Sequence, residues 1–293
     1  MMRTFAERDR LDHWLVAHGY AATREAARAA VMAGDVTVDG IVADKPGRRM
    51  PPGARVTVRR PEHGFVGRGG LKLAHGLAAF GIDPRGREAV DLGTSTGGFT
   101  DCLLQAGAER VYAVDVGRGQ LAWRLRTDPR VVSLEGVNAR HMTPERVGGP
   151  RDLVTADLSF ISLRLVWPAI AALVRSGGDV VALIKPQFEA GRAQVRRGGV
   201  VRDPAVHEAV LRRVLDAAAE SGLSPLAVTA SPLTGPAGNI EYLAHLRPAG
   251  AAPPAPLDLA AIVADAHARL TPAARPVSSP DRSGARPRRG RSA

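Results

Sequence analysis

At 293 residues, 45% of them hydrophobic, the chain is long enough for one or two domains with a sizeable core, and no run approaches the ~18 apolar residues of a membrane span. The formal charge of +11 points to a polyanionic partner, most simply nucleic acid, although charge kept for solubility would give the same excess. The single cysteine, Cys102, excludes an intrachain disulfide and a cysteine-based zinc site. No metal is expected, and Met1–Arg10 lacks the apolar core of a secretory leader, so the expected setting is cytoplasmic.

Residues 1–62 read as a small α+β module. Leu11, Trp14 and Leu15 fall on one helix face, Thr23 is a candidate N-cap for a second helix through Val31, and Gly34 ends it. Val36–Val38 is a short strand, Asp39-Gly40 a tight hairpin signal, and Arg55–Val58 a last strand after Pro51-Pro52-Gly53. Arg10-Leu11-Asp12, Thr23-Arg24, Gly34 through Gly40 and Lys45-Pro46 together resemble an S4-like RNA-binding domain. That resemblance implies RNA backbone contacts from Arg10, Arg24, Arg28, Lys45, Arg48 and Arg49; an ordinary solvated helix face remains the alternative.

Residues 63–248 read as one α/β domain whose first stretch, 63–70, is a connector too short to let two domains tumble freely. Leu71–Phe80 reads as a helix with Lys72 at its start, beside Arg68. Lysine occurs at Lys45, Lys72 and Lys185 only; the rest of the 40 basic residues are arginine. Unlike arginine, lysine can lose its proton when buried or set near another cation, so its survival at these positions marks them. Strands are expected at Val111–Val114, Arg130–Leu134, Leu153–Ala156 and Asp179–Ile184, alternating with helices as a parallel doubly wound sheet requires. A long helix at Val206–Ser221 and strands at Leu226–Ala230 and Ile240–Leu246 complete it. Chemistry in such sheets gathers outside the carboxyl ends of the strands, where Asp157 and Lys185 stand.

The stretch Val90-Asp91-Leu92-Gly93-Thr94-Ser95-Thr96-Gly97-Gly98-Phe99-Thr100-Asp101 is a strand, a small-residue turn and a helix start. Glycines let the backbone approach a ligand, and the helix presents free N–H groups beside the loop. The spacing is not G-x-G-x-x-G; it resembles the S-adenosylmethionine loop of class I methyltransferases. Asp115, at the end of the next strand, is placed to accept both hydroxyls of an adenosine ribose.

Lys72, Asp157, Lys185 and Glu241 suit removal of a proton from a poorly acidic hydroxyl: one cation lowers the pKa of the other, and the carboxylates orient and balance them. Their order along the chain resembles the set of FtsJ-like RNA ribose 2′-O-methyltransferases. Several runs narrow the match: Val66 to Leu73, the Asp91–Asp101 loop, Ala156 to Ser162, Leu183 to Glu189, and Gly238 to Tyr242. Together they resemble the TlyA (haemolysin A) family of ribosomal RNA cytidine 2′-O-methyltransferases over residues 8–247. The resemblance implies a Rossmann-like class I methyltransferase sheet with helices on both faces, behind the S4-like domain. It implies that Asp91, Gly93, Ser95, Gly97 and Gly98 hold the methionine part of S-adenosylmethionine and Asp115 its ribose. Asn138 is either an adenine neighbour or a turn residue. Lys72, Asp157, Lys185 and Glu241 become the catalytic group, with the choice of base between the lysines open. Phe160 either stacks on an extruded base or packs, and Arg68 and Arg140 are RNA contacts on the catalytic domain.

Residues 249–293 depart from the family pattern and read as a basic disordered tail, with a short helix expected at Leu257–Leu270. The expected partner is ribosomal RNA or a ribosomal subunit, with no membrane association, and the expected state is a monomer. A noncatalytic RNA-binding or ribosome-assembly protein and a pore-forming haemolysin are the alternatives. The intact lysines argue against the first; the missing signal and membrane segments argue against the second.

Overall fold

The computed structural model describes residues 9–21, 24–32, 34–51, 53–58, 64–191, 194–195, 198–250 and 256–271. Thr23, residue 63 of the connector and residues 251–255 and 272–293 of the expected tail lie outside the described residues.

The N-terminal module packs helices α1 (Leu11–Ala17) and α2 (Arg24–Met32) on a small antiparallel sheet of β1 (Val36–Val38), β2 (Ile41–Val42) and β3 (Val56–Val58), ordered β2-β1-β3. Asp39 and Gly40 both have positive φ, 53° and 77°, which is the turn chemistry a two-residue hairpin needs. Leu11, Leu15, Ala27, Val31, Val36, Val38, Ala43 and Met50 form its core. The connector is docked rather than free: the Val66 N–H donates to the Asp101 carboxylate at 2.7 Å, and the Gln105 amide donates to the Gly64 carbonyl at 3.0 Å.

The larger domain is a seven-stranded sheet. Its strands are β4 (Glu88–Leu92), β5 (Arg110–Asp115), β6 (Val131–Glu135), β7 (Arg151–Ala156), β8 (Val174–Ile184), β9 (Leu223–Ala230) and β10 (Tyr242–Pro248), in the order β6-β5-β4-β7-β8-β10-β9. The first five are parallel. β10 runs antiparallel between β8 and β9, so the sheet is not parallel throughout as the alternation suggested. The reason is local: no helix lies between β9 and β10, and a connection without a crossover helix returns the chain as a hairpin. Strand residues alternate between the faces. Val181, Leu183 and Leu243 pack on one side with helices α3 (Gly69–Phe80) and α4 (Gly98–Gln105). Val180, Ala182, Ile184, Tyr242 and Ala244 pack on the other. That second face carries α6 (Trp167–Leu173) and α8 (Pro204–Glu220), while two short helices, α5 (Trp123–Arg126) and α7 (Pro186–Glu189), follow β5 and β8. Cys102 is buried in the first core, as a small apolar residue. Among the described residues no helix is long and apolar enough to cross a membrane.

One boundary needs correction. Helix α9 (Leu259–Leu270) belongs to the folded body, not to a tail beginning at 249: Leu259, Val263 and Ala266 are buried in the core under α8 and β9. The short helix expected at Leu257–Leu270 is present and capped by Asp258, whose side chain accepts from the Ala261 N–H at 2.9 Å; the Pro-rich stretch before it and the Arg-rich one after hid its packing on the core. His267 on α9 lies 3.2 Å from buried His207 on α8, which also bonds the Tyr242 hydroxyl at 2.8 Å. Truncating Val263→Ala is therefore expected to cost about 1–3 kcal/mol by denaturant unfolding, the usual loss for buried methyl groups. A change below about 0.5 kcal/mol, the surface value, would put α9 outside the core.

Candidate active site

The order of the sheet reverses between β4 and β7, and the ligand crevice of a doubly wound sheet lies at such a reversal, beyond the carboxyl ends. β4 turns there through Gly93 at φ +84°, where a Cβ would stand 2.6 Å from the carbonyl oxygen of Asp157. Gly98 serves a second close approach: a Cβ on it would meet the backbone nitrogen of Gly70 at 3.0 Å, so it lets α4 start against α3. These glycines bring chain to chain before they bring chain to ligand. The result is one cavity of about 720 Å³ whose walls include Gly93, Ser95, Gly98, Lys72, Asp157, Lys185, Glu241 and Phe160.

Asp91 does not face that cavity as a ligand contact. It is fully buried, and its carboxylate accepts from the Thr100 hydroxyl at 2.7 Å and the Thr155 hydroxyl at 2.9 Å. Burial pushes its pKa up to about 7, against the pull of those two hydroxyls. It anchors the loop from below; Thr100 and Thr155, which sequence reading missed, are its partners. Gly97, at φ +102°, closes over Leu121 and Leu125 instead of opening to the cavity. Ser95 has φ +49°, and its N–H donates to Asp115 at 2.7 Å; the other oxygen of Asp115 accepts from the Gly117 N–H at 2.7 Å. Asp115 thus fastens the loop to β5. Asn138 is exposed, and its side chain accepts from the Arg140 N–H, which makes it the cap of the turn at Ala139–His141.

The four charged groups form two pairs in the cavity. Lys72, in the first turn of α3, holds Glu241, just before β10, at 2.5 Å. Lys185, between β8 and α7, stands 2.6 Å from Asp157, just after β7. Burial alone would pull the Lys185 ammonium down, but the carboxylates of Asp157 and Glu241 outweigh it and hold the pKa above the ordinary lysine value. Burial likewise pushes Asp157 up, and Lys185 and Lys72 overcome it, leaving the acid below its usual range. The expectation that Lys72 makes Lys185 neutral by like-charge repulsion is therefore corrected for the resting protein: the carboxylates win.

Two neutral groups escaped the sequence reading. Lys185 donates to the Ser159 hydroxyl at 2.9 Å, and the Gln187 amide nitrogen lies 3.4 Å from the second oxygen of Glu241. Each sits two residues from a catalytic candidate, Asp157 or Lys185, so spacing was the available signal. Glu189 accepts from the Ser162 hydroxyl at 2.6 Å and the Leu163 N–H at 2.7 Å, fixing the far end of the turn that carries Ser159.

At the mouth, Phe160 is 87% exposed, has φ +64° and stands 5.1 Å ring to ring from Phe188. It is not packed away. Lys45 reaches the rim from the N-terminal domain. Arg28, Lys45, Arg49 and Arg140 are exposed, and Arg48 is half-buried. Arg10 and Arg24 both pair with buried Asp12, at 2.9 and 3.3 Å, and keep about half of each side chain in solvent. Arg68 is half-buried in the wall of the same cavity, where its guanidinium donates to the Thr234 carbonyl at 3.1 Å and its stem lies against Gly34.

The sheet, the glycine turn at its reversal and the paired lysines and carboxylates define a class I methyltransferase. The model of the FtsJ-like methyltransferase family matches residues 65–248, and that of the S4 domain residues 9–56. The chain is 49% identical over 243 residues to the 16S/23S rRNA (cytidine-2′-O)-methyltransferase TlyA of Mycobacterium tuberculosis, covering 83% of this chain and 91% of that one. It is 38% identical to Hemolysin A of Brachyspira hyodysenteriae, over 80% of this chain and 98% of that one. A solved structure from Streptococcus thermophilus, bearing a hemolysin name, superposes with a TM-score of 0.71 at 43% identity, over 90% of this chain and 97% of the other. The chain belongs to the TlyA family of FtsJ-like methyltransferases.

Asp115→Ala should free the Ser95 and Gly117 amides. Losing a charge-assisted hydrogen bond at each predicts roughly tenfold or faster hydrogen exchange at both positions. Unchanged protection there in a folded variant would remove Asp115 from the loop.

Proposed function

We propose that the protein transfers a methyl group from S-adenosylmethionine to the ribose 2′-hydroxyl of a cytidine in ribosomal RNA. The observation that carries this is the pair of buried lysine–carboxylate contacts in one cavity with the glycine turn, under an exposed aromatic ring. The name of the Mycobacterium tuberculosis relative gives the same activity.

The residues present fit the cofactor: a turn in which a Cβ at Gly93 would strike backbone, a helix start at Gly98, and a cavity of about 720 Å³. Gly93, Ser95 and Gly98 would hold it, with Asp115 fixing Ser95 behind them. When bound, it supplies an electrophilic methyl on a good leaving group. The protein's task is then to position the hydroxyl and dispose of its proton. Lys72 and Lys185 supply N–H donors to the hydroxyl oxygen, and Asp157 and Glu241 fix those donors. Lys185 rests protonated, so a lysine base requires that it first give a proton to solvent; the active fraction then grows with pH below its pKa. Phe160 offers a face for the extruded base, and its left-handed backbone at an exposed aromatic is the kind of strain functional sites retain. The N-terminal domain, through Arg28, Lys45 and Arg49 with Arg140 on the larger domain, would bind RNA backbone of a ribosomal subunit. We take the working form to be a cytoplasmic monomer.

Lys185→Arg keeps the charge and removes any base. It should fold, bind cofactor and RNA nearly as the wild type does, and lose single-turnover methylation by at least ~100-fold, the low end for a positioned general base. The wild-type rate should climb steadily with pH from 6 to 9. Near-normal methylation by Lys185→Arg across that range would replace the lysine base with simple positioning of a hydroxyl that loses its proton to water.

A further inference from the structure

We propose that Ser159 is a positioning residue for Lys185: its hydroxyl takes one N–H bond of the ammonium while the Asp157 carboxylate holds it by charge, and so fixes which way the ammonium faces the cavity. The inference rests on the methyl-transfer reading given above and assigns a part of the machinery outside its four charged residues.

A lysine ammonium is a point charge on a flexible stem with three rotatable donors, and its ion pair alone does not set the direction of the remaining two. Lys185 stands 2.6 Å from Asp157 and donates to the Ser159 hydroxyl at 2.9 Å. The Asp157 oxygen that faces the ammonium accepts no hydrogen bond, so charge holds the ammonium near and the bond to Ser159 sets its direction. Both partners come from one short turn, Asp157-Leu158-Ser159-Phe160, so they move as a unit. The turn is held at each end. The Asp157 N–H donates to the Leu92 carbonyl at 2.9 Å, and Leu158 is buried in the core. Beyond it, Glu189 holds Ser162 and Leu163. Between these anchors the backbone passes through a left-handed conformation at Phe160, φ +64°, which an aromatic residue adopts only when its surroundings dictate it. Ser159 itself is exposed and lines the cavity, so the fold does not need its hydroxyl for packing. Because it accepts from Lys185, its own O–H remains available to an oxygen in the cavity.

The chain has only three lysines, so a lysine ζ-¹⁵N spectrum of the full-length protein holds three signals, and Lys185→Arg assigns one of them. Ser159→Ala should keep the melting temperature and the affinity for S-adenosylmethionine. It should speed exchange of the Lys185 ammonium protons and slow single-turnover ribose methylation, each about tenfold, the effect of one charge-assisted hydrogen bond. Ser159→Thr should restore both. If the wild type methylates ribose and Ser159→Ala leaves both the exchange and the rate within about twofold of it, the role assigned to Ser159 is wrong. If the wild type methylates no ribose, the functional reading falls instead, and the exchange arm alone decides for or against Ser159.

Discussion

Two ammoniums and two carboxylates, largely withdrawn from solvent, share one cavity, and none of them is tolerable there without an opposite charge at hydrogen-bond distance. Removing an ion from water costs several kcal/mol, and only close, well-oriented pairing offsets it. Lys72 meets Glu241 in a hydrogen-bonded pair at 2.5 Å, and Lys185 meets Asp157 in an ion pair at 2.6 Å while its hydrogen bond goes to Ser159. The fold is arranged to deliver these partners from four separate places. One comes from the first turn of α3, two from the carboxyl ends of β7 and β8, and one from the loop entering β10. The antiparallel hairpin of β9 and β10 matters for this reason, because it returns Glu241 to the same edge of the sheet as Lys185.

That pairing decides the chemistry available at rest. A cavity with two free lysines would lower one of them; a cavity with matched carboxylates raises Lys185 and lowers Asp157. The site is then a set of aimed donors whose proton-accepting form is scarce near neutrality. Ser159 and Gln187, two neutral residues beside the two pairs, set direction where charge sets only proximity.

Much of this was legible in the sequence. The carboxyl ends of the strands, the glycine turn and the four charged residues follow from a parallel α/β pattern, from lysines surviving in an arginine-rich chain and from the family resemblance. What escaped reading was partnership. Asp91 looks like a ligand contact because it flanks a cofactor-type turn, yet it is fully buried with its oxygens on Thr100 and Thr155, and Asp115 also accepts from Ser95 and Gly117. Arg68, basic and near Lys72, lines the cavity and also donates to a carbonyl 166 residues away. Such pairings depend on long-range contacts that no spacing encodes. Helix α9 was legible as a helix, but its docking was not: its apolar stripe of Leu259, Val263 and Ala266 is short and lies between biased segments, so composition assigned it to the tail.

The central claim is that the resting protein keeps Lys185 charged through Asp157 and Glu241. A pH titration of the Lys185 ζ-¹⁵N resonance in the wild-type chain measures it directly. The account predicts an ammonium signal that persists to pH values above the ordinary lysine value of 10.5. A resonance that moves to the neutral-amine position at or below about pH 9, where burial or a neighbouring cation would place it, would contradict the account.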